Sequence, residues 1–293
     1  MAEGDTVHLA AGRLDAALSG QRLVKTDFRV PAFATSDLSG HVVEGVAALG
    51  KHLLLRTDGG VTLHSHLKME GAWELYRPGE RWSGGPGHWI RAVLETEPWV
   101  AVGYRLGVLE LLPTAREQEV IGHLGPDPLG ADWDLEEAVR RLAADPGRAI
   151  GDALLDQQVM AGPGNVYRCE ACFLRGLHPS TPVGDVPDLS AVVDLMKRLM
   201  EANRAIGRQI TTGDARRGRD RWVYGRAGRP CRRCGTLVQR NAPVRSATDR
   251  VVFWCPHCQP GLPPESPGLR LRSSRSSEGA DGARNVEPRP RRP

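Results

Sequence analysis

Four cysteines carry the clearest chemistry in the chain. Two residues separate Cys231 from Cys234, two separate Cys255 from Cys258, and twenty residues lie between the pairs. Each short gap suits a knuckle that turns two thiolates toward one point, and the stretch between them fits a β-hairpin closing a tetrahedral site. Four soft ligands with no redox duty suit one structural zinc ion. Cys169 and Cys172 have the same gap but fall in a helical pattern, where i and i+3 share a face. They are expected to be buried core thiols. The start of the chain offers a second possibility. Ala2 is small, so loss of the initiator Met is expected, exposing an α-amine followed at once by Glu3 and the pliable Gly4. An α-amine titrates near ~7.7–8.0, far below lysine, so a useful fraction is unprotonated at neutral pH. Such an amine can attack a sugar C1′ to form a Schiff base, and a neighbouring carboxylate can shuttle protons. Taken alone, these residues fit a frayed terminus better than a nucleophile.

Charge is unevenly spread. The 293 residues have a formal net charge of +4. Residues 1–203 sum to −9, whereas residues 204–250 hold thirteen arginines, no lysine and only Asp214, Asp220 and Asp249, a net of +10. A solvated basic face would explain an isolated run. This one leads into the cysteine pairs, which favours a polyanion partner. An apolar fraction of 40% and a charged fraction of 25% are ordinary for a globular protein with room for about two domains. Six cysteines are too few for a disulfide scaffold. No apolar run approaches the roughly 18 residues of a membrane helix, and the first residues lack the pattern of a secretion signal. A cytoplasmic protein with reduced thiols and no membrane contact is expected.

The elements that must position these groups fall into three textures. Val7, Ala10, Ala11, Leu14 and Leu18 have helical spacing, and Gly20 supplies a stop. From about 22 to 112 the chain reads as short strands, including 52–56, an alternating 61–67 after Asp58-Gly59-Gly60, 89–94, 99–102 and 108–112. This predicts an antiparallel sandwich or barrel. After Pro126-Asp127-Pro128 the pattern turns helical. Asp134 is placed to cap a helix, and further helices are expected over 149–158, 165–174 and 189–205. Residues 219–260 read as short strands and knuckles around cysteines. Residues 262–293, rich in Pro, Arg, Ser and Gly, are expected to be disordered.

Five motifs occur in one order: Glu3-Gly4-Asp5-Thr6-Val7, Gly50-Lys51-His52-Leu53-Leu54, Leu154-Leu155-Asp156-Gln157, Gly162-x-Gly164-Asn165-Val166-Tyr167, and the four-cysteine finger. Together they resemble the formamidopyrimidine-DNA glycosylase/endonuclease VIII family over about residues 2–260, and most closely actinobacterial endonuclease VIII. The resemblance implies an α+β multidomain fold. An N-terminal antiparallel β-sandwich with one N-terminal helix (2–121) would be followed by a helix–two-turn–helix domain (122–218), a zinc finger (219–260) and a tail (261–293). It implies a monomeric enzyme that binds damaged DNA, removes oxidised pyrimidine bases and cuts the abasic strand by β/δ-elimination.

The resemblance also implies roles. Residue 2 supplies the nucleophilic amine. The family norm is proline, whose iminium is permanently charged, whereas the imine of Ala2 must hold a proton to be an equal electron sink. Catalysis through Ala2 can survive at a lower rate or be impaired, and a DNA-binding protein with weak or lost catalysis is the alternative. Glu3 matches the acid that assists base loss, Lys51 the proton donor for β-elimination, and Arg250 the finger arginine of δ-elimination, preferred over Arg245 by its offset from Cys255. Asn165 is expected to seat a phosphate at a helix start or to cap that helix. His123 falls where the family has a basic phosphate contact. Lys68, Met69 and Glu70 align with the loop that fills the gap left by a flipped nucleotide, Met69 being an apolar wedge. Trp73 is expected in the core, and His64 and His66 as structural histidines.

Overall fold

The computed structural model describes residues 2–241 and 250–261. The tail 262–293 and Arg245 lie outside the described residues. Helix α1 (Gly4–Leu18) turns its Val7, Ala11, Leu14 and Leu18 inward, and Gly20, at φ 77°, ends it as expected. Eight strands follow: β1 (Lys25–Phe28), β2 (Val43–Leu49), β3 (His52–Thr57), β4 (Val61–His66), β5 (Ala72–Tyr76), β6 (Ile90–Glu95), β7 (Val100–Tyr104) and β8 (Val108–Pro113). They form two four-stranded antiparallel sheets, ordered β1-β6-β7-β5 and β2-β3-β4-β8. Leu53, Leu55 and Leu63 share one core with Phe28, Ala92, Ala101 and the buried face of α1. The alternation of a strand sends the next residues the other way. Leu54 therefore faces the helical half, where it packs with Ile121, Leu124 and Ala161. His52, His64 and His66 lie on that same outward face, His52 paired with His66 and Leu54 with His64. Trp73 is in the core, its indole N–H donating to Ser65.

The helical half contains α2 (Gln118–Ile121), α3 (Leu135–Ala143), α4 (Ile150–Ala153), α5 (Asn165–Arg175) and α6 (Leu189–Asn203). Asp134 caps α3 through the Glu137 N–H at 2.9 Å, and Asp188 caps α6 in the same way. The helix expected over 149–158 stops at Ala153. The Asp156 carboxylate takes the Gln158 N–H at 2.9 Å and the Arg148 guanidinium at 2.7 Å, bonds that fix a turn and break the run. Beyond α6, β9 (Gln239–Arg240) pairs with β10 (Phe253–Trp254). Val223, Val238 and Trp254 of this finger pack on Cys169 and Phe173 of α5. Cys169 and Cys172 are fully buried thiols, as expected. Among the described residues, no helix is long and apolar enough to cross a membrane.

The two halves are stitched largely through backbone groups. The Gly4 N–H donates to the Gly162 carbonyl at 2.9 Å. Buried Asp127 accepts from the Gly50 N–H at 2.7 Å and the Leu129 N–H at 2.9 Å, and meets His8 Nε2 at 2.9 Å. Residues 3, 4 and 50, which flank the expected chemistry, are thereby held by the opposite half of the molecule.

Candidate active site

Glu3 is the residue preceding α1, and its side chain is buried completely. It leaves its own helix and crosses to the start of α5, where its carboxylate accepts the Gly164 N–H at 2.9 Å and the Val166 N–H at 2.8 Å. A helix N-terminus has free N–H groups and a positive dipole end, which suit a carboxylate. The close approach requires glycine at 164: a Cβ there would lie 2.6 Å from the Glu3 carboxyl carbon. Burial pushes the Glu3 carboxyl above its ordinary range, and neighbouring Asp5 adds to that. Lys51 and the two N–H groups pull the other way. Burial dominates, so the site favours a protonated Glu3 more than water does.

Lys51 follows Gly50, which sits at φ 57°, a left-handed conformation that glycine adopts without penalty. The lysine Nζ donates to the Pro163 carbonyl at 2.7 Å. Burial lowers its pKa to about 8; Glu3 opposes this, while Arg250 and Lys68 reinforce it. A glutamic acid and a lysine whose titrations are drawn toward neutrality therefore meet at the junction of the halves.

Both line a cleft of about 390 Å³ that also takes in Ala2, His52, His66, Lys68, Met69, His123 and Arg250. Lys68, His123 and Arg250 are exposed, and Met69 is 58% exposed, unusual for a large apolar side chain. Lys68 holds φ 53°, an uncommon value for a residue with a side chain, so the loop is bent outward at some backbone cost. Half-buried Ala2 lies at the cleft surface beside Glu3. The sequence-expected residues Ala2, Glu3, Lys51, Lys68, Met69, His123 and Arg250 thus converge on one hollow between β-sandwich, helical half and finger.

The Formamidopyrimidine-DNA glycosylase N-terminal domain matches residues 1–105, and the Formamidopyrimidine-DNA glycosylase H2TH domain matches residues 124–213. The Probable endonuclease 8 2 of Streptomyces coelicolor is 54% identical over 270 residues, covering 92% of this chain and 97% of that protein. The chain belongs to the formamidopyrimidine-DNA glycosylase/endonuclease VIII family. The DNA-(apurinic or apyrimidinic site) lyase Nei2 of Mycolicibacterium smegmatis is 49% identical over 259 residues, with 88% and 99% covered. In shape the chain is similar to the formamidopyrimidine-DNA glycosylase of Lactococcus lactis bound to DNA containing an abasic site. That TM-score is 0.73, at 22% identity, over 88% of this chain and 100% of that one.

Asn165 stands apart from the other residues matched to the family. It is the first residue of α5 and is 4% exposed, and its side chain does not cap the helix. Its amide donates to the Val251 carbonyl at 2.8 Å, and its oxygen accepts from the buried Arg168 guanidinium. It ties the helix to the finger segment just after Arg250, while Glu3 takes the free N–H groups. His66 makes a local structural bond and also borders the cleft. Its Nδ1 accepts the Lys68 N–H at 2.9 Å, leaving Nε2–H as donor on a ring that borders the cleft. Two further cleft residues, Gln157 and His52, were present in the quoted motifs without a role. The Gln157 amide bridges the Pro163 carbonyl and the Gly162 N–H at 3.0 Å each, fixing the loop that receives Lys51.

The four finger cysteines have their sulfurs within 4.8 Å of one another and can hold a metal ion. Metal–thiolate bonds of about 2.3 Å put the sulfurs of a tetrahedron about 3.8 Å apart. Cys231–Cys258 at 4.0 Å and Cys234–Cys255 at 3.5 Å bracket that spacing.

Proposed function

We propose that this chain is a bifunctional DNA glycosylase and abasic-site lyase of base excision repair that acts on oxidised pyrimidines as a monomer. The relatives that match nearly end to end carry the names endonuclease 8 and abasic-site lyase. The observation that carries the reading is the meeting of Ala2, Glu3 and Lys51 in one cleft.

A glycosidic bond is out of reach inside a duplex, so the damaged nucleotide must turn out into the cleft, at a cost of a few kcal/mol. Lys68, His123 and Arg250 would grip the phosphates, and Met69 would occupy the vacated stack. The amine of Ala2, freed by loss of Met1, attacks C1′ as the C1′–N bond to the base breaks. Glu3, its proton held more firmly than in water, protonates the ring oxygen and opens the sugar. The resulting protonated imine acidifies C2′. Water takes a C2′ proton as the C2′=C3′ bond forms and the C3′–O bond breaks, expelling the 3′-phosphate; loss of the C4′ proton to water then breaks the C5′–O bond and expels the 5′-phosphate. Below pH about 8 Lys51 is an ammonium that can pair with the departing phosphate and return a proton. Zinc is the metal that best suits the four-thiolate set and would hold the finger that bears Arg250.

The test uses the full chain, with Met1 removal verified by mass. It is incubated with one duplex bearing a ring-saturated thymine and another bearing an abasic site. The expected products are cut strands with phosphate at both new ends. Tight binding with neither duplex cut would instead establish a DNA-binding protein whose catalysis lapsed with proline.

A further inference from the structure

His52 is the hub of four imidazoles, three on the outer face of the β2-β3-β4-β8 sheet and His123 from the turn after α2. His64 lies beside His52 nearly in plane, ring centroids 5.1 Å apart and planes 13° apart, and His66 and His123 meet it edge-on at 5.4 and 6.3 Å. Behind it runs a directed chain. Glu110 Oε2 lies 2.9 Å from His64 Nδ1, and His64 Nε2 lies 2.9 Å from His52 Nδ1. A carboxylate only accepts, so His64 Nδ1 carries a hydrogen. With all rings neutral, His64 Nε2 is then a bare lone pair and His52 Nδ1 must donate to it. His52 Nε2 is left as a lone pair on a ring that lines the cleft, with no hydrogen bond among the described residues.

A lone pair facing a DNA phosphate would be repelled. One added proton reverses this wherever it settles. On His52 it gives Nε2–H directly. On His64, beside the Glu110 carboxylate, it makes Nε2 of His64 a donor, flips His52 to accept at Nδ1, and again leaves Nε2–H on the cleft side. Resting on the reading of the cleft as a DNA site, we propose that His52 is a further phosphate-binding residue. The Glu110–His64 pair switches it from acceptor to donor as DNA binding takes one proton from solvent.

The groups facing this hub are Lys51 beside it, His66 from the end of β4, Lys68 from the following loop, His123 from the turn after α2, and His64 with Glu110 behind. Glu117, nearby on the same face, is held by Arg56 at 2.7–2.8 Å. Burial first, then the neighbouring imidazoles of His64 and His123 and the ammonium groups of Lys68 and Lys51, lower the His52 pKa to about 4, so the ring is neutral without DNA. A phosphate placed against Nε2 raises that pKa.

The experiment measures binding of a duplex with an uncleavable tetrahydrofuran abasic site from pH 5.5 to 7.5, where Lys51 stays mostly charged. Proton uptake is read by calorimetry in two buffers of different ionisation enthalpy. The wild type should tighten three- to tenfold from pH 7.5 to 6.0, with up to one proton taken up. His52→Gln should bind with no pH slope and no uptake at this site. Glu110→Gln, altered at a half-exposed position, should move the uptake to lower pH. A pH-independent wild type overturns the proposal, as does a slope that survives His52→Gln and vanishes in His66→Gln or His123→Gln. Absence of binding at every pH would strike the DNA-site reading itself, and the proposal with it.

Discussion

On the floor of the cleft, Glu3 is fully buried with both carboxylate oxygens on backbone N–H groups, and Lys51 Nζ is seated on the Pro163 carbonyl. On the rim, Met69 is 58% exposed, and Lys68, His123 and Arg250 reach into solvent. The floor is made of groups whose position and protonation are set before DNA arrives, which is where bonds would be made and broken. The rim is made of long side chains that can adjust to a bent, opened duplex. The two regions should fail differently: floor substitutions through rate and pH profile, rim substitutions through affinity and salt dependence.

The sharpest break is expected at Glu3. Glu3→Gln keeps an oxygen for one N–H group but removes the proton supply. Base removal should fall about 10²–10⁴-fold. Alanine is a poorer probe, because two buried N–H groups would be left unpaired at about 1–3 kcal/mol each. Single-turnover excision set against DNA affinity reads the difference, and affinity should be nearly unchanged.

Next comes the pH profile of Lys51. Burial lowers its pKa, so the ammonium is present below pH about 8 and lost above it. Abasic-strand cutting should decline above that point, toward tenfold per pH unit. The Ala2 amine, active only when unprotonated, gives the rising limb. Lys51→Arg, which stays charged, should be slower overall but lack the alkaline decline.

The smallest effects belong to the rim and separate its two chemistries. Arg250→Ala should weaken DNA binding about tenfold and flatten the slope of log K against log salt by about 0.9. Met69→Ala should cost only a few-fold and leave that slope unchanged. A salt-slope change for Met69, or none for Arg250, would erase the division between wedge and clamp.

Much of this plan was legible in the residues. The alternating 61–67 run and the apolar stripe of α1 gave their elements closely, because period and burial agree there. The resemblance singled out Ala2, Glu3, Lys51, Lys68, Met69, His123 and Arg250, and all seven line one hollow. What was hidden depended on contacts far apart in the chain. Nothing local in 149–158 shows that Asp156 will hold Arg148 and end the helix. Nothing local at Asn165 shows that its amide meets Val251, or that the helix start is filled by a carboxylate 163 residues away from Val166. His52 looked like part of a strand; its place in a relay appears only when β3, β4 and β8 are laid side by side.

Everything on the floor serves one nitrogen, so the most direct measurement locates the covalent bond. Abasic DNA and full-length protein lacking Met1 are mixed with borohydride, and the trapped complex is digested and sequenced by mass spectrometry. The account predicts a reduced adduct on the α-nitrogen of the peptide beginning Ala2-Glu3-Gly4. An adduct on Lys51, or cleavage of abasic DNA with no trapped species, would contradict it.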